Sequence, residues 1–144
     1  YVYTWTHDRF WRKTRRPVSQ FCKGADLNRN WDNNFNKSGT SSNPCYQIYA
    51  GTSAFSEPET KQLADFLKVI PNLAGYFTFH AFAQVLMMPY GYTKELLDNY
   101  QELYEIGLKA VKSLKSKYGT EYKLGSIANI LCKSNYSNLR FLFK

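Results

Sequence analysis

The apolar and polar positions alternate between regular stretches and one long irregular one. Residues Tyr1-Val2-Tyr3-Thr4-Trp5-Thr6 are β-branched and aromatic throughout and predict a strand or the end of one. Residues 16–50 hold most of the Asn, Ser and Gly and predict a long irregular loop, a kind of segment that is often functional in a compact domain. A helix start follows, with Ser56 as N-cap, Glu59 as its capping-box partner and Pro58 in the first turn. Leu63, Phe66, Leu67 and Ile70 then fall on one helical face, and Pro71 with Asn72 ends the element. Residues 73–80 read as a buried strand with His80 at its C-terminal end, the end at which open α/β sheets bind ligands. Residues 89–92 predict a turn. The longest helix is expected from Lys94 to Tyr118, with Leu96, Tyr100, Leu103, Leu108, Val111 and Leu114 as its apolar stripe and Gly119 just past its end. Residues 121–132 predict another strand, and the last dozen residues show no pattern. No internal repeat or domain linker is visible.

Composition supports a packed chain. A hydrophobic fraction of 44% with 17% aromatics argues for a real core and against intrinsic disorder. A length of 144 residues suits one domain or part of a larger one. No apolar run is long enough to predict a membrane span, and no signal peptide is visible. The opening at Tyr1, without an initiator Met, points to a chain whose true beginning lies elsewhere or to a processed mature end. The net charge of +8 gathers around Arg9, Arg12, Lys13, Arg15 and Arg16, and around Lys109, Lys112, Lys115 and Lys117. The second group reads as the solvated face of a helix. The first is interleaved with Phe10 and Trp11 and keeps a polyanion partner in view, although no nucleic-acid motif accompanies it. The cysteines Cys22, Cys45 and Cys132 form no CxxC knuckle. Cys22 and Cys45 flank the Asn-rich stretch, either as a bridge restraining a loop in an oxidising compartment or as two buried thiols. The sequons Asn36-Lys37-Ser38 and Asn135-Tyr136-Ser137 are compatible with secretion.

Candidate chemistry begins at Asp26-Leu27-Asn28-Arg29-Asn30-Trp31. An Arg fork matches a carboxylate and a neighbouring Asn adds a donor, so this turn suits recognition of a planar anion, or else is an Asx-rich turn with a solvated Arg. Arg12, between Trp11 and Lys13, can be held on an aromatic face and could stabilise an oxyanion. His80 is a metal-ligand candidate that needs partners, because zinc normally takes three or four protein ligands. Neither His7 nor His80 opens a His-x-x-Glu pair, so the chain supplies no obvious zinc site by itself. No Gly-x-Ser-x-Gly elbow supports a serine hydrolase.

Read together, the strings Arg9-Phe10-Trp11-Arg12-Lys13-Thr14-Arg15, Gly24-Ala25-Asp26-Leu27-Asn28-Arg29-Asn30-Trp31-Asp32, Ser56-Glu57-Pro58-Glu59-Thr60, Phe79-His80, Pro89-Tyr90-Gly91-Tyr92-Thr93 and Lys117-Tyr118-Gly119-Thr120 resemble the zinc metallocarboxypeptidases of the pancreatic A/B type in order and spacing. The resemblance runs from Tyr1 to about Ile130. It implies an α/β chain, part of a three-layer α/β/α fold with a mixed central sheet, incomplete at both ends. Residues 1–130 would be the central part of the peptidase domain and 131–144 a divergent tail. By position, His80 matches a zinc ligand and Asp26 the carboxylate that orients another zinc histidine. Arg12 matches the residue that polarises the scissile carbonyl. Asn28 and Arg29 match the pair that grips the substrate's terminal carboxylate, and Phe82 lies among the substrate-binding positions. The resemblance also implies a Cys22–Cys45 disulfide and cis peptide bonds at Ala81-Phe82 and Pro89-Tyr90.

The implied reaction is zinc-dependent removal of C-terminal residues from peptides and proteins, by an extracellular, secreted enzyme that is a monomer when intact, with no nucleic-acid or membrane partner. The family's His-x-x-Glu pair, its general-base Glu and its capping Tyr have no counterpart in this sequence. Only one zinc ligand, His80, is present, so the chain alone is expected to be inactive; a non-catalytic product that binds carboxylates or a partner is the alternative. The family usually has Ser then Tyr after the zinc histidine, where this chain has Ala81 and Phe82.

Overall fold

The structure is a computed structural model that describes residues 2–37 and 39–131. The expected tail over 131–144 therefore lies, from 132 onward, outside the described residues, as do Ser38, Cys132 and the second sequon. The chain divides into two compact units, Tyr1–Leu73 and Ala74–Lys144.

The first unit opens with α1, Val2–Thr6, where a strand is expected. A strand needs a neighbour for its backbone groups, and none pairs with this segment among the described residues. Local contacts take over instead. The Thr6 hydroxyl donates to the Val2 carbonyl, and the Tyr3 ring stacks on His7 one helical turn away.

The long loop is irregular, as its composition predicts, but closely tied. Thr14 N–H donates to the Ala25 carbonyl and Ala25 N–H donates to the Thr14 hydroxyl, each at 2.9 Å. Isolated bridges pair Pro17 with Lys23 and Ser41 with Tyr49. The Cys22–Cys45 disulfide closes the loop, with its Cα atoms 5.1 Å apart. Gly24 has φ +75° and lies so close to Thr14 that a Cβ would sit 1.7 Å from the Thr14 carbonyl oxygen, which leaves no room for any other residue.

Helix α2, Pro58–Val69, begins with Pro58 at its first position as expected, but its N-cap is Glu57 rather than Ser56. The face turned inward is Thr60 and Ala64, flanked by half-buried Leu63 and Leu67, whereas Phe66 is exposed. The predicted stripe is thus rotated. Thr60 donates to the Asn30 side chain at 2.6 Å, and that bond turns the small-residue face of the helix onto the loop. The helix stops at Ile70, whose extended conformation is the one a following proline requires.

In the second unit, residues 73–80 form no strand: they run without ladder partners and are largely exposed. The strands are instead β1, Val85–Met88, and β2, Lys123–Ser126, paired in parallel from Val85↔Lys123 to Met88↔Ser126. Helix α3, Tyr100–Tyr118, connects them, giving the crossover that parallel neighbours demand. It starts six residues later than the pattern predicts, leaving Leu96 exposed ahead of it, and ends on Gly119 at φ +67°, as expected. Gly107 lets α3 rest on the sheet: a Cβ there would meet Leu124 at 2.7 Å and Leu86 at 3.5 Å. The expected strand over 121–132 holds for four residues and then turns into α4, Ile127–Leu131. That helix buries Ile127, Ala128 and Leu131, and each large aliphatic side chain so buried contributes about 1.5–3 kcal/mol.

Candidate functional site

The anion-recognising turn predicted from Asp26-Leu27-Asn28-Arg29 is a single 3₁₀ turn over Leu27–Arg29 with Asp26 as its N-cap. The Asp26 side chain is buried, and its two oxygens do different jobs. Oδ1 accepts the Asn28 backbone N–H at 3.0 Å. Oδ2 accepts Nε of Arg12 at 2.9 Å. One carboxylate therefore joins the turn to the segment carrying Arg12, and sequence reasoning assigned Asp26 no such contact.

Arg29 is buried, which a charged side chain tolerates only when well partnered. Its Nε donates to the Gly39 carbonyl at 2.9 Å and its Nη1 to the Asn28 carbonyl at 3.2 Å, so the guanidinium is pinned rather than solvated. Beside it, Nδ2 of Asn28 is buried and has no hydrogen-bond partner among the described residues. An unmatched buried donor costs about 1–3 kcal/mol, so any group that brought an acceptor to it would be stabilised there. Arg12 is half-exposed and gives Nε to Asp26, and its two terminal nitrogens make no hydrogen bond among the described residues.

Lys13 turns the other way. It is buried, donates to the Pro44 carbonyl at 2.6 Å and lies over the Tyr49 ring. Burial pushes its ammonium below the ordinary value, against the pull of Asp26. Arg15 stacks over Tyr3 and Trp11, and Arg9 over Trp5. Much of the basic cluster is thus engaged with rings, carboxylates and carbonyls.

A buried network that the sequence did not announce lies behind this turn. Glu57 has no exposed surface and accepts from Arg16 Nη2 at 2.6 Å, Arg16 Nε at 3.1 Å, the Thr14 hydroxyl at 2.7 Å and the Ser56 hydroxyl at 3.1 Å. Burial alone raises its pKa, but the Arg16 and Thr14 hydrogen bonds, with the Arg16 charge, outweigh this and hold it below the ordinary value of 4.5. In the sequence Glu57 stood out only as a member of the Ser56-Glu57-Pro58-Glu59-Thr60 string, where the capping-box reading drew attention to Glu59 instead.

In the second unit, His80 is exposed and its Nε2 lies 2.9 Å from the Thr78 hydroxyl. Phe82 is also exposed, and both Ala81-Phe82 and Pro89-Tyr90 are cis. No group of three His, Cys, Asp or Glu side chains that could hold a metal ion comes together among the described residues. No helix among them is long and apolar enough to cross a membrane.

The family model for zinc carboxypeptidases matches residues 1–141. Zinc carboxypeptidase A 1 of Anopheles gambiae is 45% identical over 140 residues, covering 96% of this chain and 32% of its own length. Carboxypeptidase A2 of Mus musculus is 42% identical over 144 residues, covering 99% and 34%. Among solved structures, carboxypeptidase A from Helicoverpa armigera superposes with a TM-score of 0.83 at 32% identity, covering 90% of this chain and 33% of that one. This chain spans about a third of the length of these relatives. Its α/β architecture is that of part of the carboxypeptidase fold, and the chain belongs to the zinc carboxypeptidase family.

Proposed function

We propose that this chain forms the carboxylate-gripping part of a zinc-dependent metallocarboxypeptidase, an enzyme that removes C-terminal residues from peptides and proteins. The observation that carries this reading is the buried, unpartnered Nδ2 of Asn28 beside the pinned guanidinium of Arg29. A terminal carboxylate supplies the acceptor that Asn28 lacks and the negative charge that suits Arg29. Arg12, aligned by Asp26, carries free N–H groups suited to a polarised carbonyl or the oxyanion that develops from it. In this reading Phe82 contributes an apolar surface to the substrate and His80 one ligand to zinc.

The sequence contains two histidines, and the described residues gather no metal cluster around either. In this reading the isolated 144-residue chain is a binder without turnover. The Cys22–Cys45 disulfide supports an oxidising, extracellular setting. The engagement of the basic side chains with rings and carboxylates favours peptide C-termini over nucleic acid as partner.

Calorimetry with a hydrophobic peptide in two forms, free acid and C-terminal amide, tests this. The acid is expected to bind at least about tenfold more tightly, the worth of one charge-assisted hydrogen bond. Equal affinity for the two forms would sink the reading of the Asn28–Arg29 turn. Hydrolysis of the free acid by the isolated chain with added zinc would sink the reading of it as inactive.

A further inference from the structure

Glu57 touches, directly or through one residue, both halves of the proposed site. Its side chain accepts the hydroxyl of Thr14, two residues after Arg12. The Thr14 oxygen in turn accepts the N–H of Ala25, the residue before Asp26. Its backbone N–H donates to Oδ1 of Asn30 at 3.0 Å, two residues after Asn28. Asn30 is fully buried, and its Nδ2 is spent on the Ala50 and Ser53 carbonyls and the Ser56 hydroxyl, at 2.7, 3.0 and 2.8 Å. Every side-chain partner of Glu57 is a donor, so the position calls for an acceptor at both oxygens. An amide there would set an N–H against the Arg16 guanidinium or against a Thr14 hydroxyl that already accepts from Ala25.

We propose that Glu57 is a positioning residue: with Asn30 it sets the placement of Arg12 relative to the Asn28–Arg29 turn without itself touching substrate. The inference rests on the reading of that turn as a carboxylate site, but its geometric half can be tested without a ligand. Glu57→Gln keeps the shape and removes one acceptor. Thr14→Val removes the hydroxyl relay and serves as the second variant if Glu57→Gln fails to fold. Ala64→Gly, inside α2 and outside the network, is the control for a general loss of stability.

Two readouts are taken on the 144-residue chain: the ratio of affinities for the acid and amide forms of one peptide, and the NMR signals of the Arg12 and Arg29 Nε–H groups. Glu57→Gln is expected to reduce the acid preference about tenfold and to shift both Nε–H signals, while Ala64→Gly changes neither despite a lower melting temperature. An unchanged ratio with unmoved signals in Glu57→Gln overturns the proposal. So does an equal loss of preference in Ala64→Gly. If the wild-type chain shows no acid preference, carboxylate recognition fails, and the Nε–H signals alone decide: moved signals uphold the positioning role and unmoved ones end it.

Discussion

Nε of Arg12 donates to Oδ2 of Asp26 at 2.9 Å, across fourteen positions of sequence and from a half-exposed side chain to a buried one. Because the other Asp26 oxygen holds the Asn28 backbone, Arg12 and the Leu27–Arg29 turn share one anchor. Asp26→Asn keeps the size but leaves one of the two contacts facing an N–H donor. The expected outcome is a loss of about 1–3 kcal/mol in stability, read by chemical denaturation, together with weaker binding of free-acid peptides, read by calorimetry. Unchanged stability would show that the Arg12–Asp26 pair contributes nothing net.

The Glu57 network makes stability depend on acid. The folded-state pKa of Glu57 is depressed, so its contribution is complete above the ordinary 4.5 and is lost as pH falls through the folded value. Melting temperature should drop as pH is lowered below that point. Glu57→Gln, which has no proton to gain there, should start roughly 2 kcal/mol less stable at neutral pH and fall less steeply, so that the two curves converge in acid. Parallel curves would assign the acid sensitivity to other carboxylates.

Part of the local structure was legible from residue types alone. The Asn28-Arg29 pair suited either a planar anion or an Asx-rich turn with a solvated Arg, and residue types alone did not decide between them, whereas Pro58 and Gly119 marked helix ends through their own backbone constraints. The network behind the site was not legible. Glu57, Asn30 and Thr14 are ordinary polar residues whose burial depends on partners up to 43 positions away, and no local pattern encodes that. The strand readings of 1–6 and 73–80 failed for a related reason. A β-branched, aromatic run shows that a segment fits a sheet but not that a neighbouring strand is there to pair with it, and among the described residues the paired strands are β1 and β2.

The Cys22–Cys45 disulfide closes a loop across 23 positions, and the buried Lys13 ties the same loop through the Pro44 carbonyl. Reduction, or the double change Cys22→Ser with Cys45→Ser, should lower stability by roughly 3 kcal/mol through the freedom regained by the unfolded chain. The effect is read as a fall in the midpoint of urea denaturation. A midpoint unmoved by reductant would mean that the remaining loop contacts already hold the segment.

Two glycines separate a backbone requirement from a packing one. At Gly107 an added methyl meets the tip of the Leu124 side chain at 2.7 Å, a contact that can yield, and alanine gains about 1 kcal/mol in helix propensity. Overpacking costs about 1–3 kcal/mol, so Gly107→Ala should be destabilising by no more than about 2 kcal/mol and should leave the acid preference of the Asn28–Arg29 turn unchanged. At Gly24 the added methyl would lie 1.7 Å from a backbone oxygen at φ +75°, and neither the oxygen nor the torsion can adjust without parting Thr14 from Ala25. Gly24→Ala should therefore cost roughly 3 kcal/mol or more and also weaken free-acid binding, since Arg12 and Asp26 flank the two loop segments that separate. Denaturation and calorimetry on the two variants check this, and a Gly24→Ala chain as stable as wild type would contradict the close Thr14–Gly24 approach on which the site's geometry depends.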